Sequence, residues 1–407
     1  MEKLRKYISV ILQNGVGLKP GDNIYVKGEP IHWPFIALLA EEAYRAGARY
    51  VQVEADHPQL MKARVQYAEL DHLSYFPETR RKDLELLVRE RWSLIYLDGM
   101  EDPDLFDNID QKRNAIIEKS RRQASIPFFN AIMNGQCAWT IAALPTPKWA
   151  AKALQMSPTP AAEKELWNIL EPILLLDHRD PNAAWQQLSA ILKLRAQRLK
   201  QLELTSLHFS GPDTDLTVGL LPQSQWLGGS SISDDGREFL PNIPTYEVFT
   251  TPDFRKTEGR VATTRPVQVL GASVEHAWFE FHTGKVVRFD AQRGKAALNS
   301  FFEIDERNRY VGEVALVDAS SPIYQANKLF HAILFDENAA CHLALGRGIS
   351  SALAQGENMS DDELLAAGCN TALQHIDFMI GSPALSVSAT RRNGSKLPII
   401  RDGHFVL

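Results

Sequence analysis

The stretch NIYVKGEPIHWPFIALLAEEAYRAGARYVQVEA, residues 23–55, decides the fold class of the first half of the chain. NIYVKG (23–28) and YVQVEA (50–55) have the short β-branched pattern of strands. Between them, WPFIALLAEEAYRAGA (33–48) has the apolar spacing of a helix that ends at glycine. Strand, helix and strand in this order predict a βαβ unit, in which a helix packs on two parallel strands.

The same alternation continues toward the middle of the chain. SLIYLDG (93–99) and WTIAAL (139–144) are predicted strands, NIDQKRNAIIEKSRRQA (108–124) is a predicted helix, and a helical region runs from Ala161 to about Leu202. We therefore expect an α/β N-terminal domain, a mostly parallel sheet with helices, over residues 1–203. The long amphipathic helix AAWQQLSAILKLRAQRLKQLEL (183–204) marks its end.

The second half has a different pattern, with short alternating strands separated by glycine and proline. They are TSLHFS (205–210), DLTVGL (215–220), RVATTRPVQVL (260–270), AWFEFH (277–282), KVVRFD (285–290), GEVALVD (312–318) and HIDFMIG (375–381). This pattern predicts an α+β C-terminal domain over residues 204–407, with a mainly antiparallel sheet or open barrel. Ser360 and Glu363 have the spacing of a capping box, so a helix is predicted from there to Gly368.

Composition excludes several classes of protein. The chain has 407 residues, of which 44% are hydrophobic and 23% charged, as in ordinary globular proteins. A net charge of −6 supplies no basic field for a phosphate backbone, so nucleic acid is not an expected partner. The first residues do not resemble a signal peptide, and no segment reaches the ~18 apolar residues that span a bilayer. Three cysteines without CxxC spacing indicate neither disulfides nor a thiolate zinc site, which favours a cytoplasmic location.

Common catalytic motifs are missing from the sequence. It contains no GxSxG, no HExxH and no GxxxxGK[ST]. The glycines of NGVGLKPGD (14–22) precede the first strand, whereas a dinucleotide-binding fingerprint follows it. The only argument for nucleotide binding is therefore that other proteins with an α/β fold bind nucleotides.

One candidate metal site is local, in the stretch HAWFEFH. Alternation places His276, Trp278, Glu280 and His282 on one face of a strand and Phe279 and Phe281 on the other. A His/Glu/His face has the donors for a metal ion. The plainer interpretation is that the phenylalanines pack inward and the polar face meets solvent.

A second candidate is dispersed along the second half of the chain. His375 and Asp377, two apart on a predicted strand, point to the same side, and Glu313 lies among apolar residues in GEVALVD. A buried ionised carboxylate needs a partner charge or a metal. With these we group three further acidic or imidazole residues: Glu247, Glu337 and His342. Spacing alone does not show that the six meet.

Four segments carry a resemblance to a known family. FLPNIPTYEVFTTPDFRKTEGRV (239–261), YVGEVALVD (310–318), LFDENAACHLALG (334–346) and LQHIDFMIGS (373–382) resemble, in order, the signature segments of the thermophilic metalloaminopeptidase family typified by aminopeptidases T, S and PepS. Weaker similarity, as in LKPGDNIYVKGEP (18–30), extends over the first half. The resemblance implies two metal ions, with ligands at Glu247, Glu313, Glu337, His342, His375 and Asp377.

An enzyme of this kind would release N-terminal amino acids from peptides that have a free N-terminus. Two ions ~3.5–4 Å apart share a water, lower its pKa toward ~7 so that a bridging hydroxide attacks, and polarise the carbonyl. We expect Glu313 to bridge the ions, and either Glu247 or Glu337 to accept the proton. Four carboxylates and two imidazoles do not select between zinc, cobalt, manganese and magnesium. The resemblance further implies a homodimer in which the first domain covers the active-site cavity.

The chain departs from the family at one position. Relatives usually have a catalytic tyrosine seven residues beyond the histidine of the DENAxxH segment, whereas this chain has Ile349. Loss of one preorganised hydrogen-bond donor typically costs ~10²–10³ in turnover. Arg347, Ser350 or Ser351 would be replacements if the loop places them there. The alternatives to an active aminopeptidase are a catalytically impaired member that binds metal or peptide, and an amidohydrolase acting on a non-peptide amide.

Overall fold

A computed structural model describes residues 2–407. The first half contains eight helices and four strands. The helices are α1 (Glu2–Val10), α2 (Trp33–Arg45), α3 (Pro58–Tyr67), α4 (Glu78–Arg89), α5 (Gln111–Met133), α6 (Pro147–Leu154), α7 (Pro160–Ile173) and α8 (Pro181–Gln201). The strands are β1 (Asn23–Gly28), β2 (Tyr50–Ala55), β3 (Ser93–Asp98) and β4 (Trp139–Ala143).

The second half is rich in strands. They are β5 (Leu204–Gly211), β6 (Thr214–Leu220), β7 (Ser231–Ile232), β8 (Glu238–Phe239), β9 (Asn242–Ile243), β10 (Glu247–Thr250), β11 (Pro252–Ala262), β12 (Val267–Val269), β13 (Ala272–Val274), β14 (Trp278–His282), β15 (Lys285–Asp290), β16 (Val311–Val317), β17 (His342–Gly346), β18 (His375–Met379), β19 (Ser386–Arg391), β20 (Lys396–Arg401) and β21 (His404–Phe405). The helices are α9 (Lys295–Ile304), α10 (Pro322–Gln325), α11 (Ile333–Asp336) and α12 (Asp361–Ala367).

The predicted fold class is confirmed. In the first half β2, β1, β3 and β4 form a parallel sheet with helices, and the predicted βαβ unit is β1–α2–β2. In the second half, an eight-stranded sheet has the order β15-β14-β11-β6-β5-β19-β20-β21, and a four-stranded sheet has the order β10-β16-β17-β18. Every pairing within these two sheets is antiparallel.

The two antiparallel sheets share one hydrophobic core. Residues on one face of the four-stranded sheet, such as Val314, Leu343 and Phe378, belong to the same buried cluster as Phe209 and Phe279 of the larger sheet. Alternation in these strands therefore directs apolar side chains to the core and leaves the opposite face of the small sheet free for polar groups.

One strand of the second half completes the sheet of the first half. β9 pairs in parallel with β4, and its Ile243 is buried in the hydrophobic cluster of the first half. The chain thus returns to the N-terminal sheet after residue 204, and the division between residues 203 and 204 stays a prediction. Among residues 2–407 no helix combines the length and apolar character needed to cross a membrane.

Two helices differ from the sequence prediction in length. The helix predicted at 108–124 is α5, which runs on to Met133 with Pro127 inside it. Pro127 removes one backbone hydrogen bond. Phe128 and Phe129, which follow it, pack against a buried cluster around Trp92 and offset that loss. The helical region expected up to about residue 202 is two helices, α7 and α8. The Asp180 side chain accepts a hydrogen bond from the Ala183 N–H at the start of α8.

The predicted capping box is confirmed at α12. The Ser360 hydroxyl accepts a hydrogen bond from the Glu363 N–H, and the Glu363 carboxylate accepts one from the Ser360 N–H. Gly368 follows in the left-handed conformation, with φ of 102°, and ends the helix.

Candidate metal centre

The four-stranded sheet carries five of the six dispersed residues singled out in the sequence. They are Glu247 at the start of β10, Glu313 in β16, His342 at the start of β17, and His375 and Asp377 in β18. The sixth, Glu337, lies in a short 3₁₀ turn that leads into β17. Residues separated by up to 130 positions are therefore brought onto one small surface.

Strand register places the five on a single face. Glu313 lies opposite Ala344, which in turn lies opposite Asp377, so these three form a row across the sheet. Directly paired residues of antiparallel strands point to the same side, as do residues two apart in one strand. His342, two before Ala344, and His375, two before Asp377, are therefore on the same face. This confirms the expectation that His375 and Asp377 point the same way.

Small residues make room for the cluster. Ala344 separates Glu313 from Asp377, and Gly346 lies opposite His375. Gly346 has φ of 109°, and a Cβ there would lie 2.1 Å from the carbonyl oxygen of Gln374. Neither position stands out in the sequence by its residue type. The alternation of HLALG, in which residues 342, 344 and 346 share a face, carries the signal that would have found them.

The side chains form two groups that share one carboxylate. Glu247, Glu313 and His342 offer ligand atoms that all lie within 4.8 Å of one another, and so do Glu313, His375 and Asp377. His342 Nε2 lies 3.1 Å from Glu247 Oε2, and His375 Nε2 lies 3.2 Å from Glu313 Oε2. Glu313 thus stands between the two imidazole-carboxylate groups.

Backbone carbonyls orient both imidazoles. The Nδ1–H of His342 donates to the carbonyl oxygen of Glu337 at 3.0 Å, and the Nδ1–H of His375 donates to that of Arg347 at 2.7 Å. A carbonyl oxygen only accepts, so in the neutral ring the proton lies on Nδ1 and Nε2 faces the carboxylates with its lone pair. This is the usual arrangement of metal-binding histidines.

Two carboxylate oxygens in the cluster have no hydrogen-bond partner among residues 2–407. They are Glu247 Oε2 and Asp377 Oδ1, both buried. Although His342 Nε2 is close to Glu247 Oε2, the two atoms meet as acceptors when the proton of the ring is on Nδ1. Buried acceptors that converge without donors fit a divalent cation, and mixed carboxylate and imidazole donors suit zinc, cobalt, manganese or magnesium.

The charges of the cluster perturb its own titration. Burial lowers the pKa of His342, but contact with Glu247 and the other carboxylates outweighs burial and raises the pKa well above its usual value. For His375, burial again acts downward, but attraction to Asp377 and Glu313 prevails and the pKa is raised. Burial raises the pKa of Glu313. The face therefore attracts positive charge strongly.

Glu337 lies beside the two groups without belonging to either. Its carboxylate faces the cavity described below and accepts a hydrogen bond from the Asn338 amide at 3.3 Å. Burial and the nearby Asp377 and Glu247 charges raise its pKa well above the usual value. Its assignment as a ligand stays a prediction.

The cluster opens into a large cavity between the two halves of the chain. The cavity has a volume of about 1,050 Å³. The first half contributes residues at the carboxyl ends of β1 and β3, including Glu29 and Asp98, together with Arg122 and Phe129 of α5. A space of this size accommodates a short peptide.

The hydrogen-bond donors around Ile349 differ in whether other side chains already bind them. Ile349 lines the cavity and is 8% exposed. The Arg347 guanidinium is held by Asp361 at 2.6 Å, and the Ser350 hydroxyl donates to Asn134 at 2.9 Å. Ser351 also lines the cavity, and its side chain makes no hydrogen bond to any residue in the range 2–407.

The polar face of HAWFEFH lies at the surface of the protein. Phe279 and Phe281 are buried, whereas His276 and His282 are exposed, which confirms the solvent-facing interpretation. His282 contacts Glu258 instead, at 3.2 Å.

Comparison with known proteins agrees with these features. Residues 1–405 match the family described as thermophilic metalloprotease (M29). The chain is 32% identical to aminopeptidase PepS of Streptococcus thermophilus, covering 100% of this chain and 98% of that protein, and 33% identical to aminopeptidase 2 of Geobacillus stearothermophilus, covering 99% and 98%. The structure of wild-type AmpT from Thermus thermophilus matches with a TM-score of 0.89 and 31% identity, covering 100% of this chain and 99% of that one. The resemblance seen in the sequence is therefore confirmed: the chain belongs to the M29 family of thermophilic metalloproteases and is a peptide hydrolase.

Proposed function

We propose that this protein is a metal-dependent aminopeptidase that uses two divalent ions to release N-terminal residues from peptides. One ion would be held by Glu247, Glu313 and His342, and the other by Glu313, His375 and Asp377. The observation that carries the proposal is that two groups of ligand atoms share Glu313, and within each group all the atoms lie within 4.8 Å of one another. Relatives matched over their full length are named aminopeptidases, which supports the N-terminal specificity.

The side chains of the site have different proposed roles, which follow from their positions. The carbonyl-bound histidines keep Nε2 directed at the cluster, and Glu313 fixes the separation of the two groups. When bound, the ions supply an activated water as hydroxide and polarise the scissile carbonyl. Glu337 faces the cavity outside both groups, which supports assigning the acceptance of the proton to it in preference to Glu247.

Substrate selection would follow from the charge and shape of the cavity. A peptide's free α-amino group is cationic or neutral and is attracted by the carboxylates, and interior peptide bonds lack such a group. Apolar side chains such as Phe129, Met133 and Phe249 line the rest of the space. The donor set does not choose between zinc, cobalt, manganese and magnesium. A homodimer and a cytoplasmic location remain predictions.

One observation favours a second candidate, a member that binds metal or peptide but hydrolyses poorly. The position expected to hold a hydrogen-bonding tyrosine is the apolar Ile349, and two nearby donors, Arg347 and Ser350, are bound to other side chains. Ser351 alone of the three replacements has a hydroxyl without a partner among residues 2–407.

Activity and metal content measured on the same protein test both candidates. The purified chain is stripped with chelator, reloaded with Co²⁺ or Zn²⁺, and incubated with leucyl-p-nitroanilide, leucyl-leucine and N-acetyl-leucyl-p-nitroanilide. Metal-dependent cleavage of the first two with rejection of the acetylated substrate is the expected result. Two bound ions without turnover would refute the aminopeptidase and support the impaired member. Preference for the acetylated compound would indicate an amidohydrolase.

A further inference from the structure

Arg122 is a cationic side chain in the cavity wall that makes no ion pair with any residue from 2 to 407. It lies on α5, on the side of the helix that faces the cavity. Its guanidinium makes no salt bridge and no side-chain hydrogen bond to any residue within 2–407, and its Nε atom is fully buried. Its guanidinium carbon lies 5.9 Å from the centre of the Phe129 ring.

Neighbouring arginines are paired, so the isolation of Arg122 is specific to that position. Arg121 binds Glu118 at 2.5 Å, and Arg347 binds Asp361 and the Asn130 side chain. Burial and repulsion by Arg121 lower the pKa of Arg122 to about 10, so the side chain still carries its charge at neutral pH.

Arg122 is also close to the metal centre. It lines a small cavity of about 20 Å³ together with Phe129, Arg347 and His375. His375 is one of the two imidazoles of the cluster. Each residue of an extended peptide spans ~3.3–3.6 Å. A carboxylate one or two residues from a bond held at the metal centre would lie within about 7 Å of it, and Arg122 lines the same cavities as the cluster.

We propose that Arg122 binds a carboxylate of the substrate on the C-terminal side of the scissile bond, and that it directs the enzyme toward peptides that carry one. The guanidinium of the half-buried Arg122 has no bound carboxylate within residues 2–407, and an incoming carboxylate supplies the missing charge. Guanidinium binds carboxylate through two parallel hydrogen bonds. The inference rests on the proposed aminopeptidase activity. The carboxylate has two sources, the C-terminus of a dipeptide or tripeptide and an acidic side chain.

Paired substrates measure this preference as a ratio. In the wild type, kcat/KM for leucyl-leucine should exceed that for leucyl-leucine amide by about 10- to 100-fold, the effect of one charge-assisted hydrogen bond. In Arg122→Gln the ratio should fall toward 1 through a rise in KM for the acid, and Arg122→Lys should retain part of it. Arg121→Gln, the same change at the adjacent paired arginine, should leave the ratio as in the wild type.

A second pair of substrates distinguishes the two sources of the carboxylate. Leucyl-glutamate amide against leucyl-glutamine amide reports on an acidic side chain, with the C-terminus blocked in both. A ratio above 1 that disappears in Arg122→Gln, in either pair, supports the inference and identifies the source. Equal ratios in the wild type and Arg122→Gln for both pairs would overturn it, even if leucyl-p-nitroanilide is cleaved and the proposed function holds.

Measurements of binding and of thermal stability test the proposal even if the protein hydrolyses no substrate. If the metal-loaded protein hydrolyses nothing, calorimetric titration with leucyl-leucine and its amide compares the affinities directly, with the same expected loss in Arg122→Gln. Because Arg122 is half-buried and makes no salt bridge within residues 2–407, its replacement by glutamine should leave the melting temperature unchanged or higher. A lower melting temperature together with unchanged affinity ratios would mean that Arg122 is structural and would refute the proposal.

Discussion

Removing Glu313 should release both metal ions, whereas removing His375 should release only one. Glu313 belongs to both groups of ligand atoms, and His375 belongs to the second alone. Glu313→Gln keeps the size and one oxygen of the side chain but removes the charge that both ions need. The two variants, prepared in the same way, should therefore differ in stoichiometry, with close to zero ions per chain for Glu313→Gln and one for His375→Asn.

The expected size of the effect follows from linkage. An ion present at 100 times its dissociation constant stabilises the folded state by about 2.7 kcal/mol. Unfolding entropy of about 2.1 cal/mol/K per residue amounts to about 0.85 kcal/mol/K over 407 residues. Each ion should then raise the melting temperature by about 3 °C, and the pair by about 6 °C. We expect the full shift in the wild type, half of it in His375→Asn, and almost none in Glu313→Gln.

Two measurements on chelator-treated and reloaded protein check this. Elemental analysis after gel filtration gives ions per chain, and thermal unfolding gives the shift. The reasoning is refuted if Glu313→Gln retains two ions, or if the wild type binds two ions and His375→Asn loses both. A wild type that takes up no divalent ion under either assay would refute the two-ion site altogether.

Three further changes test the site and its support. Ile349→Tyr should raise kcat for leucyl-p-nitroanilide by up to ~10²–10³-fold, the factor that one oxyanion donor supplies, and Ile349→Phe should not raise it. Equal rates in the two variants would contradict a role for the tyrosine hydroxyl. Ala344→Leu should abolish metal uptake in calorimetry by filling the gap beside Glu313, whereas Leu343→Met on the core face should retain it; uptake in both would mean that the gap is not used. Burial lowers the pKa of His32 in the folded protein, so as the pH drops below the usual value of 6.5 the unfolded chain binds a proton before the folded chain does, and the free energy of unfolding should fall. The difference in melting temperature between pH 7.5 and pH 5.5 should therefore be smaller in His32→Gln than in the wild type. An equal difference in the two proteins would exclude this histidine as the cause.

The sequence predicted local geometry better than long-range geometry. Alternation correctly assigned His375 and Asp377 to one face, and correctly placed the phenylalanines of HAWFEFH inside. Both inferences need only the two-residue period of a strand. The pairing of β9 with β4 was missed because a strand of two residues has no period, and its position depends on a partner about 100 residues earlier.

The strand residues of the site come together through the register of the strands, and the spacing of residues along the sequence does not reveal that register. Glu247 meets His342 because β10 and β17 both pair with β16, and a one-residue slip of either strand would turn its ligand toward the core. The family resemblance is what implies this grouping in the sequence. Residues outside the signature segments, such as Arg122, have no such guide, since arginines among the other charged residues of a helix are typical of a solvated face.

Burial links the fold of this centre to its chemistry. Glu247 and Glu313 are 6% and 5% exposed, on the face of a sheet whose other side forms the main core. Carboxylates at such depth are costly unless a cation compensates them, and the nearest groups that can become positive are the two imidazoles, which do so only when a proton takes the place of a metal on Nε2. The backbone carbonyls hold those rings as Nδ1–H donors, which leaves the lone pairs on Nε2 for an external cation. The same packing that stabilises the small sheet therefore makes metal uptake favourable, and the apo protein should be less stable than the loaded one.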